Sequence, residues 1–517
     1  MTFAPALSSL LDTLRSHGYS SEAAAQALGP NGLAAAHSGN PAGALFALAR
    51  STSPHATLVS AVYLRQPQPR AWWEELCGQQ LMDELSSVGV LNTRADGSLV
   101  LEIDVRPLHV PFHGAEDVLI SSDPDASVEI HQPGPHHVPG VGHAPLSLLS
   151  SVPPLPSGSP CSVLDLGTGS GALSLVLAAN YPHAEITGTD IHARALEFAR
   201  ANDLGSRVEW LEGSWFEPVA GRTFDRIISN PPFVIGPAVD VTEEGHIYRD
   251  SGLALDAASR LVVEGAAEHL NEGGRAHILV GWAITDASAP PAPVQWIADT
   301  GIRALLVHRD QVDVFTYVHT WLEDESIDPR SEQGRQRTTA WLEFFADHGV
   351  THIGLGYMHM ERSRDLQGEP SEVHVELLDQ PLPPDTHLGA EVDEWFRRMA
   401  WLARLDAPAA VLDHQFAVRP GVAVDQVFVG DAATGQGFLP YSRSLSRTEG
   451  PCYKHDIDGH VQAIVAGLHP EGLTMRDVVE LYATVQGIDE QECAEACIPI
   501  AVDLVRHGII LPLEVLE

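Results

Sequence analysis

SVLDLGTGSGALSLVLAANYPHAEITGTDI, residues 162–191, holds an apolar run, three alternating glycines, a second apolar run and a terminal acidic residue. The first run, SVLDLG, is short and apolar and reads as a buried strand. Asp165, Gly167, Thr168, Gly169 and Gly171 then form a D-x-G-T-G-x-G turn ahead of the helical pattern ALSLVLAANYP. Glycines at a strand-to-helix turn let the backbone approach a ligand closely, and the helix behind them presents free N–H groups. The spacing differs from the G-x-G-x-x-G dinucleotide fingerprint, which weakens a nicotinamide reading; a purely structural glycine turn is the competing account. AEITGTDI supplies the next strand, ending at Asp190, 25 residues after Asp165. Ligands in open α/β sheets sit at the carboxyl ends of the strands, where an acidic side chain can accept hydrogen bonds from ribose hydroxyls.

Working outward, strand and helix keep alternating. ALEFARAND reads as a helix, RVEWLEGS and DRIISN as strands, SGLALDAASRLVVEGAAEHL as a long helix and RAHILVGW as a strand. Alternation with short loops predicts an α/β fold with a parallel sheet covered on both faces. IRALLVHRD and VDVFTYVHTWL are expected to close it as a hairpin of strands, 302–309 and 312–322, followed by a helix and a strand within 336–363. Gly213-Ser214-Trp215-Phe216 follows a strand end, so Ser214 and Trp215 can line an adenine; a turn carrying two core aromatics is the alternative.

Asn230-Pro231-Pro232-Phe233 also follows a strand end. Two prolines abolish both ladder pairing and helix entry and keep the loop rigid. A planar amino group offers two donors and no readily available lone pair, so alkylating it requires both N–H groups to be held and the nitrogen aimed. The Asn230 side-chain oxygen and the Pro231 carbonyl can supply two acceptors, which help as positive charge develops on nitrogen. Phe233 would stack on the flat acceptor.

DLGTGSG, TGTD and NPPF, in that order and spacing, resemble the class I S-adenosylmethionine-dependent methyltransferases, in the branch that methylates planar nitrogens. GSWFEPVAGRTFDRIISNPPF looks most like the release-factor glutamine N5-methyltransferases, and the layout is similar to that of a three-domain actinobacterial branch. The resemblance covers roughly residues 130–325. It implies a Rossmann-like core with S-adenosylmethionine as cofactor. Asp165, Gly167, Thr168, Gly169 and Gly171 would lie against the methionine part, Asp190 would hold the ribose, and Ile191, Ser214 and Trp215 would flank the adenine. Asn230 to Phe233 would clamp the acceptor nitrogen beside the cofactor. Ser214 stands where the family often has an acidic residue, and Phe233 replaces the commoner tyrosine.

The rest of the chain bounds the setting. Its 517 residues suggest several domains: a mainly helical, winged-helix-like N-terminal domain over 1–125, the core with an extension over 126–380, and a mixed, mostly helical C-terminal domain over 381–517. A helical cap packed on its neighbour is an equal reading of the first. SSVPPLPSGSP (150–160) and QPLPPDTHLGAE (380–391) read as linkers. Net charge is −39 and Lys454 is the only lysine, so a generic nucleic-acid binder is disfavoured. Five scattered cysteines and no signal-peptide pattern point to the cytoplasm. HQPGPHHVPGVGH (131–143) reads as a loop closing over the cofactor rather than a metal site, Cys493 and Cys497 read as buried small residues, and no metal is expected. Arg249 and Asp250 are placed at the border of the substrate pocket or in a surface pair. The function expected is methyl transfer to a protein glutamine side chain. The alternatives are N6-adenine or N2-guanine methylation of rRNA or DNA, and a non-catalytic cofactor-binding scaffold.

Overall fold

The computed structural model describes residues 2–125, 127–129, 134, 136–232, 234–237, 253–378 and 387–516. Phe233, Arg249, Asp250 and part of the histidine-rich stretch (131–133 and 135) lie outside the described residues. The chain divides into two compact units, Met1–Leu149 with Pro154–Leu378, and Ser150–Pro153 with Asp379–Glu517.

An eight-stranded sheet organises the first unit. Its strands are β1 (Cys161–Leu166), β2 (Ala184–Asp190), β3 (Val208–Glu212), β4 (Phe224–Ser229), β5 (Leu270–Ile284), β6 (Ile302–Asp313), β7 (His352–Arg362) and β8 (Glu372–Leu377). They lie in the order β8-β6-β7-β5-β4-β1-β2-β3. All pairings are parallel except those of β7, which runs antiparallel to both β5 and β6. β1 is flanked by β2 on one side and β4 on the other, so chain order reverses there. The crevice at the carboxyl ends of β1 and β4 is the place where such sheets take ligands.

Burial on both faces explains the continuous apolar runs. All of β1 but Ser162 is buried, and in helix α1 (Ala172–Asn180) every residue from Ala172 to Ala178 is buried. Helix α2 (Ala193–Asn202) buries Leu196, Phe198 and Ala199, and α3 (Ala257–His269) buries Val262, Val263 and Ala266. Five N-terminal helices and the hairpin Leu91–Thr93/Leu99–Leu101 form as the sequence predicts. They share one apolar cluster with α2, where the Phe3 and Phe198 rings meet edge-on at 5.1 Å.

One predicted hairpin is wrong. Residues 314–324 form helix α4 (Val314–Asp324), not a strand, because Asp313 accepts hydrogen bonds from the Phe315 and Thr316 N–H groups and caps it. Val314, Tyr317, Val318 and Leu322 then fall on one buried face. The antiparallel partner of β6 is β7, beyond helix α5 (Glu332–Asp347). The second expected linker also ends early, since a helix begins at Gly389.

The second unit contains the three predicted helices, Gly459–Ala466, Met475–Gln486 and Glu490–Arg506. It adds a three-stranded antiparallel sheet, Val422–Gly430, Phe438–Arg447 and Lys454–Asp456, that the helical reading omitted. Buried Arg398 meets Glu391 and Glu394, and Arg447 pairs with Glu391, whose carboxyl is held down to about 2 by the two guanidinium groups against the effect of burial. Cys493 and Cys497 sit half-buried against this unit's apolar core. Among the described residues no helix is long and apolar enough to cross a membrane.

Candidate active site

The glycine turn after β1 is held open by hydrogen bonds from behind. Gly167, Gly169 and Gly171 take φ of 72°, 57° and 86°, a region that other residues enter only with strain. The Gly167 and Thr168 N–H groups both donate to the Thr189 carbonyl at 2.9 Å, tying the turn to β2. Asp165 Oδ2 accepts from Thr168 Oγ1 at 2.6 Å, Ser174 Oγ at 2.7 Å and the Ser174 N–H at 3.1 Å. Burial pushes the Asp165 carboxyl up to about 6 in spite of these donors, and its Oδ1 is buried with no hydrogen-bond partner among the described residues. Asn202 completes the support by donating to the Ser170 carbonyl at 2.9 Å.

β2 and β3 deliver the next groups. Asp190 Oδ2 accepts from the Gly169 N–H at 2.8 Å and Oδ1 from the His192 N–H at 2.9 Å, while burial raises its carboxyl. Ile191 is 60% exposed and lines the crevice beside Asp190. Trp215 has φ of 47°, an outlier for an aromatic residue of the kind that gathers at functional sites. Trp215 and its neighbour Phe216 both pack against the apolar core, and Phe216 stacks on His269 at 4.5 Å.

β4 ends at Ser229, whose hydroxyl donates to the Leu166 carbonyl at 2.8 Å and so joins the ends of β4 and β1. Asn230 follows directly, with its side-chain oxygen buried and without a hydrogen-bond partner among the described residues. A buried acceptor left unmade costs roughly 1–3 kcal/mol, so an orphan of this kind marks a position kept for something else. Beyond the prolines, the Ile235 N–H donates to the Tyr317 hydroxyl at 2.8 Å, fixing the loop to α4.

These segments converge. One crevice, with about 1230 Å³ of empty space including its open mouth, is lined by 166–170, 189–192, 213–215, Asn230 and Pro232. Of the residues singled out from sequence, Gly167, Thr168, Gly169, Asp190, Ile191, Ser214, Trp215, Asn230 and Pro232 are on its wall. Asp165, Gly171 and Pro231 are not. Asp165 lies fully buried beneath the turn, and a Cβ on Gly171 would meet the Trp210 ring at 2.9 Å, so both shape the turn from behind. Pro231 is buried.

Part of the histidine-rich stretch reaches the same crevice: His137, Val138, Pro139 and Gly140 line it. The segment is held by His136 Nδ1, 2.9 Å from His192 Nε2, and by the Val138 N–H donating to Asp123 at 2.9 Å. Arg194 also pairs with Asp123. Sequence reasoning missed His192, although it directly follows Asp190-Ile191, and Tyr317, which only the folded chain brings to the loop after β4.

The model of the methyltransferase small domain matches residues 146–283, and two domains of unknown function, DUF7059 and DUF7782, match 16–101 and 393–512. A release factor glutamine methyltransferase of Geobacter sulfurreducens is 37% identical over 121 residues, 22% of this chain and 43% of that protein. One of Neisseria gonorrhoeae is 39% identical over 122 residues, 22% of this chain and 44% of the other. A ribosomal protein uL3 glutamine methyltransferase of Neisseria meningitidis serogroup A is 33% identical over 152 residues, 27% of this chain and 50% of the relative. The chain thus spans about half the length of the curated relatives it matches. The first five strands, the glycine turn and the Asn-Pro-Pro loop fall inside or adjoin the segment 146–283, which is similar to the methyltransferase small domain.

Proposed function

We propose that this chain transfers a methyl group from S-adenosylmethionine to the side-chain nitrogen of a protein glutamine. The observation that carries the reading is the buried, unpartnered Oδ1 of Asn230 at the edge of the crevice. An acceptor placed there is available to an amide N–H, and we assign the second acceptor that a planar –NH2 group requires to the carbonyl of Pro231, a buried residue whose neighbours Asn230 and Pro232 line the wall.

The crevice fits the cofactor. Cβ atoms built on Gly167 and Gly169 would meet nothing within 4 Å, so the turn leaves space for a ligand against bare backbone. Each Asp190 oxygen already takes one backbone donor and keeps capacity for a second, which suits ribose hydroxyls. Exposed Ile191 and half-buried Trp215 offer apolar surface for the base, and Ser214 lies beside them on the wall. S-adenosylmethionine, bound there, would supply an electrophilic methyl carbon: the bond to the glutamine nitrogen forms as the bond to the sulfonium sulfur breaks, a neutral thioether leaves, and the nitrogen gives up one proton to water.

The chain's own part is positioning. Asn230 Oδ1 and the Pro231 carbonyl hold the two N–H groups, fix the plane of the amide and stabilise the positive charge that grows on its nitrogen. The rigid prolines and the Tyr317 anchor keep these acceptors from relaxing away. Phe233, next in sequence, is assigned to stacking on the amide. Glutamine is favoured over a nucleic-acid base because the net charge of −39 repels phosphate and because the named relatives act on a release factor and a ribosomal protein.

The test is transfer of a radiolabelled methyl group into a cell lysate, followed by separation of protein, RNA and DNA. Label in one protein, located on glutamine by mass spectrometry, is expected. Label in RNA or DNA would overturn the substrate class, and cofactor binding without any label would leave a scaffold.

A further inference from the structure

The second unit carries an apolar surface that methyl transfer does not explain. Val422–Gly430 and Phe438–Arg447 pair as an antiparallel ribbon, and the third strand covers only Ser444–Ser446 at its base. Leu445 is buried there. Further out, Phe428 is 49% exposed, Phe438 75% and Tyr441 73%, with Val424, Val429 and Leu439 exposed beside them. Phe428 lies opposite Pro440 and Val429 opposite Leu439. Side chains alternate along a strand, so Phe428, Phe438 and Pro440 share one face while Val429 and Leu439 occupy the other.

Soluble proteins rarely leave a contiguous apolar patch of this kind uncovered, and a lone two-stranded ribbon is marginal in water. With apolar side chains on both faces, the ribbon suits a cleft that surrounds it rather than a flat surface. Charge selects what provides that cleft. The ribbon 422–447 holds two aspartates, Asp425 and Asp431, and two arginines, Arg443 and Arg447, so it is itself neutral and the field around it is that of a chain whose net charge is −39. That field repels nucleic acid, an anionic lipid surface and a second copy of the chain, and it attracts a cationic protein.

We propose that the ribbon 422–447 is a docking arm that inserts into an apolar cleft of a cationic protein. The proposal rests on the ribbon and the charge, so it stands or falls separately from the methyl-transfer reading.

The test places a photo-crosslinker in the full-length chain, Phe438→p-benzoylphenylalanine, with Gln336→p-benzoylphenylalanine as the control position, and irradiates both in lysate. The expected result is one dominant adduct at position 438, absent at 336 and identified by mass spectrometry as a basic protein. Unlabelled wild-type chain should suppress it, whereas a chain carrying Phe428→Ser, Phe438→Ser and Tyr441→Ser should compete at least roughly tenfold less well, a loss of about 1.4 kcal/mol or more. Those three side chains are exposed, so the variant should keep its circular dichroism and unfolding midpoint. An adduct with a second copy, with nucleic acid or with an acidic protein overturns the proposal, as does equal competition by the triple variant or the same adducts at both positions.

Discussion

At the scale of single residues, Asn230 and Asp165 are both polar groups with a buried, unpartnered oxygen, yet they have different roles. Asn230 is on the crevice wall and Asp165 is not. Asn230→Ala removes the first acceptor without touching the glycine turn, so methyl transfer should fall by roughly 10²–10³-fold. Affinity for S-adenosylmethionine, measured by calorimetry, should stay within a few-fold; a variant with full transfer would refute the clamp. Asp165 acts on stability. Its folded-state carboxyl sits near 6 against 3.8 for the free group, so the folded state holds that proton more tightly than the unfolded chain. The contribution is fully present below about 3.8 and is lost as pH rises through about 6. The shift corresponds to on the order of 3 kcal/mol. Asp165→Asn keeps an acceptor for Ser174 and cannot ionise. In urea unfolding, the wild type should therefore lose stability relative to this variant between about pH 4 and pH 7. A pH-independent difference would show that Asp165 ionises freely. The sequence made both residues visible as members of motifs. It could not separate the wall from the support behind it, because that distinction depends on which way each side chain turns.

At the scale of elements, the loop after β4 borrows its rigidity from α4. Val234 and Ile235 pack in one cluster with Tyr317, Val318 and Trp341, and the Tyr317 hydroxyl receives the Ile235 N–H. Tyr317→Phe keeps the ring and leaves that N–H unsatisfied, which should cost about 1–3 kcal/mol. Because the bond lies two residues beyond Phe233, kcat should fall while cofactor affinity is unchanged; an unaltered kcat would confine Tyr317 to packing. This element is also where the sequence misled. VDVFTYVHTWL is rich in β-branched and aromatic residues, which favour strands, and the capping role of Asp313 outweighed that tendency. β1 to β4 were legible because short loops and double-sided burial impose a simple alternation. β7 was legible as a strand, but its antiparallel place between β5 and β6 was not, since that pairing is decided by register far along the chain. A second long-range feature was equally hidden. Arg226 on β4 can only donate, so His277 accepts at Nε2, 2.6 Å away, and must carry its proton on Nδ1 to donate to His359 at 2.9 Å. Burial holds both imidazoles neutral, His359 down to about 3.

At the scale of the whole molecule, charge and chemistry belong to different distances. In the proposed mechanism the crevice acts through hydrogen bonds of about 3 Å, whereas a net charge of −39 acts over the Debye length, about 10 Å at 0.1 M salt and 3 Å at 1 M. Capture of a cationic protein acceptor should therefore depend on salt while the transfer step should not. With the acceptor identified by labelling, kcat/KM for the intact protein should fall at least roughly tenfold between about 0.05 M and 0.5 M salt, through KM alone. An uncharged peptide carrying the same glutamine meets the same acceptors at Asn230 and Pro231 but is not steered by the field, so its kcat/KM should change little. Equal salt slopes for protein and peptide would mean that the charge serves solubility and that recognition is local to the crevice. A falling kcat would mean instead that salt disturbs the site itself. The composition alone carried the sign of this effect, because a lysine-poor, acidic chain can attract only the opposite charge. Which surface would receive a partner was beyond it, since an exposed ribbon such as 422–447 differs in sequence little from a buried hairpin.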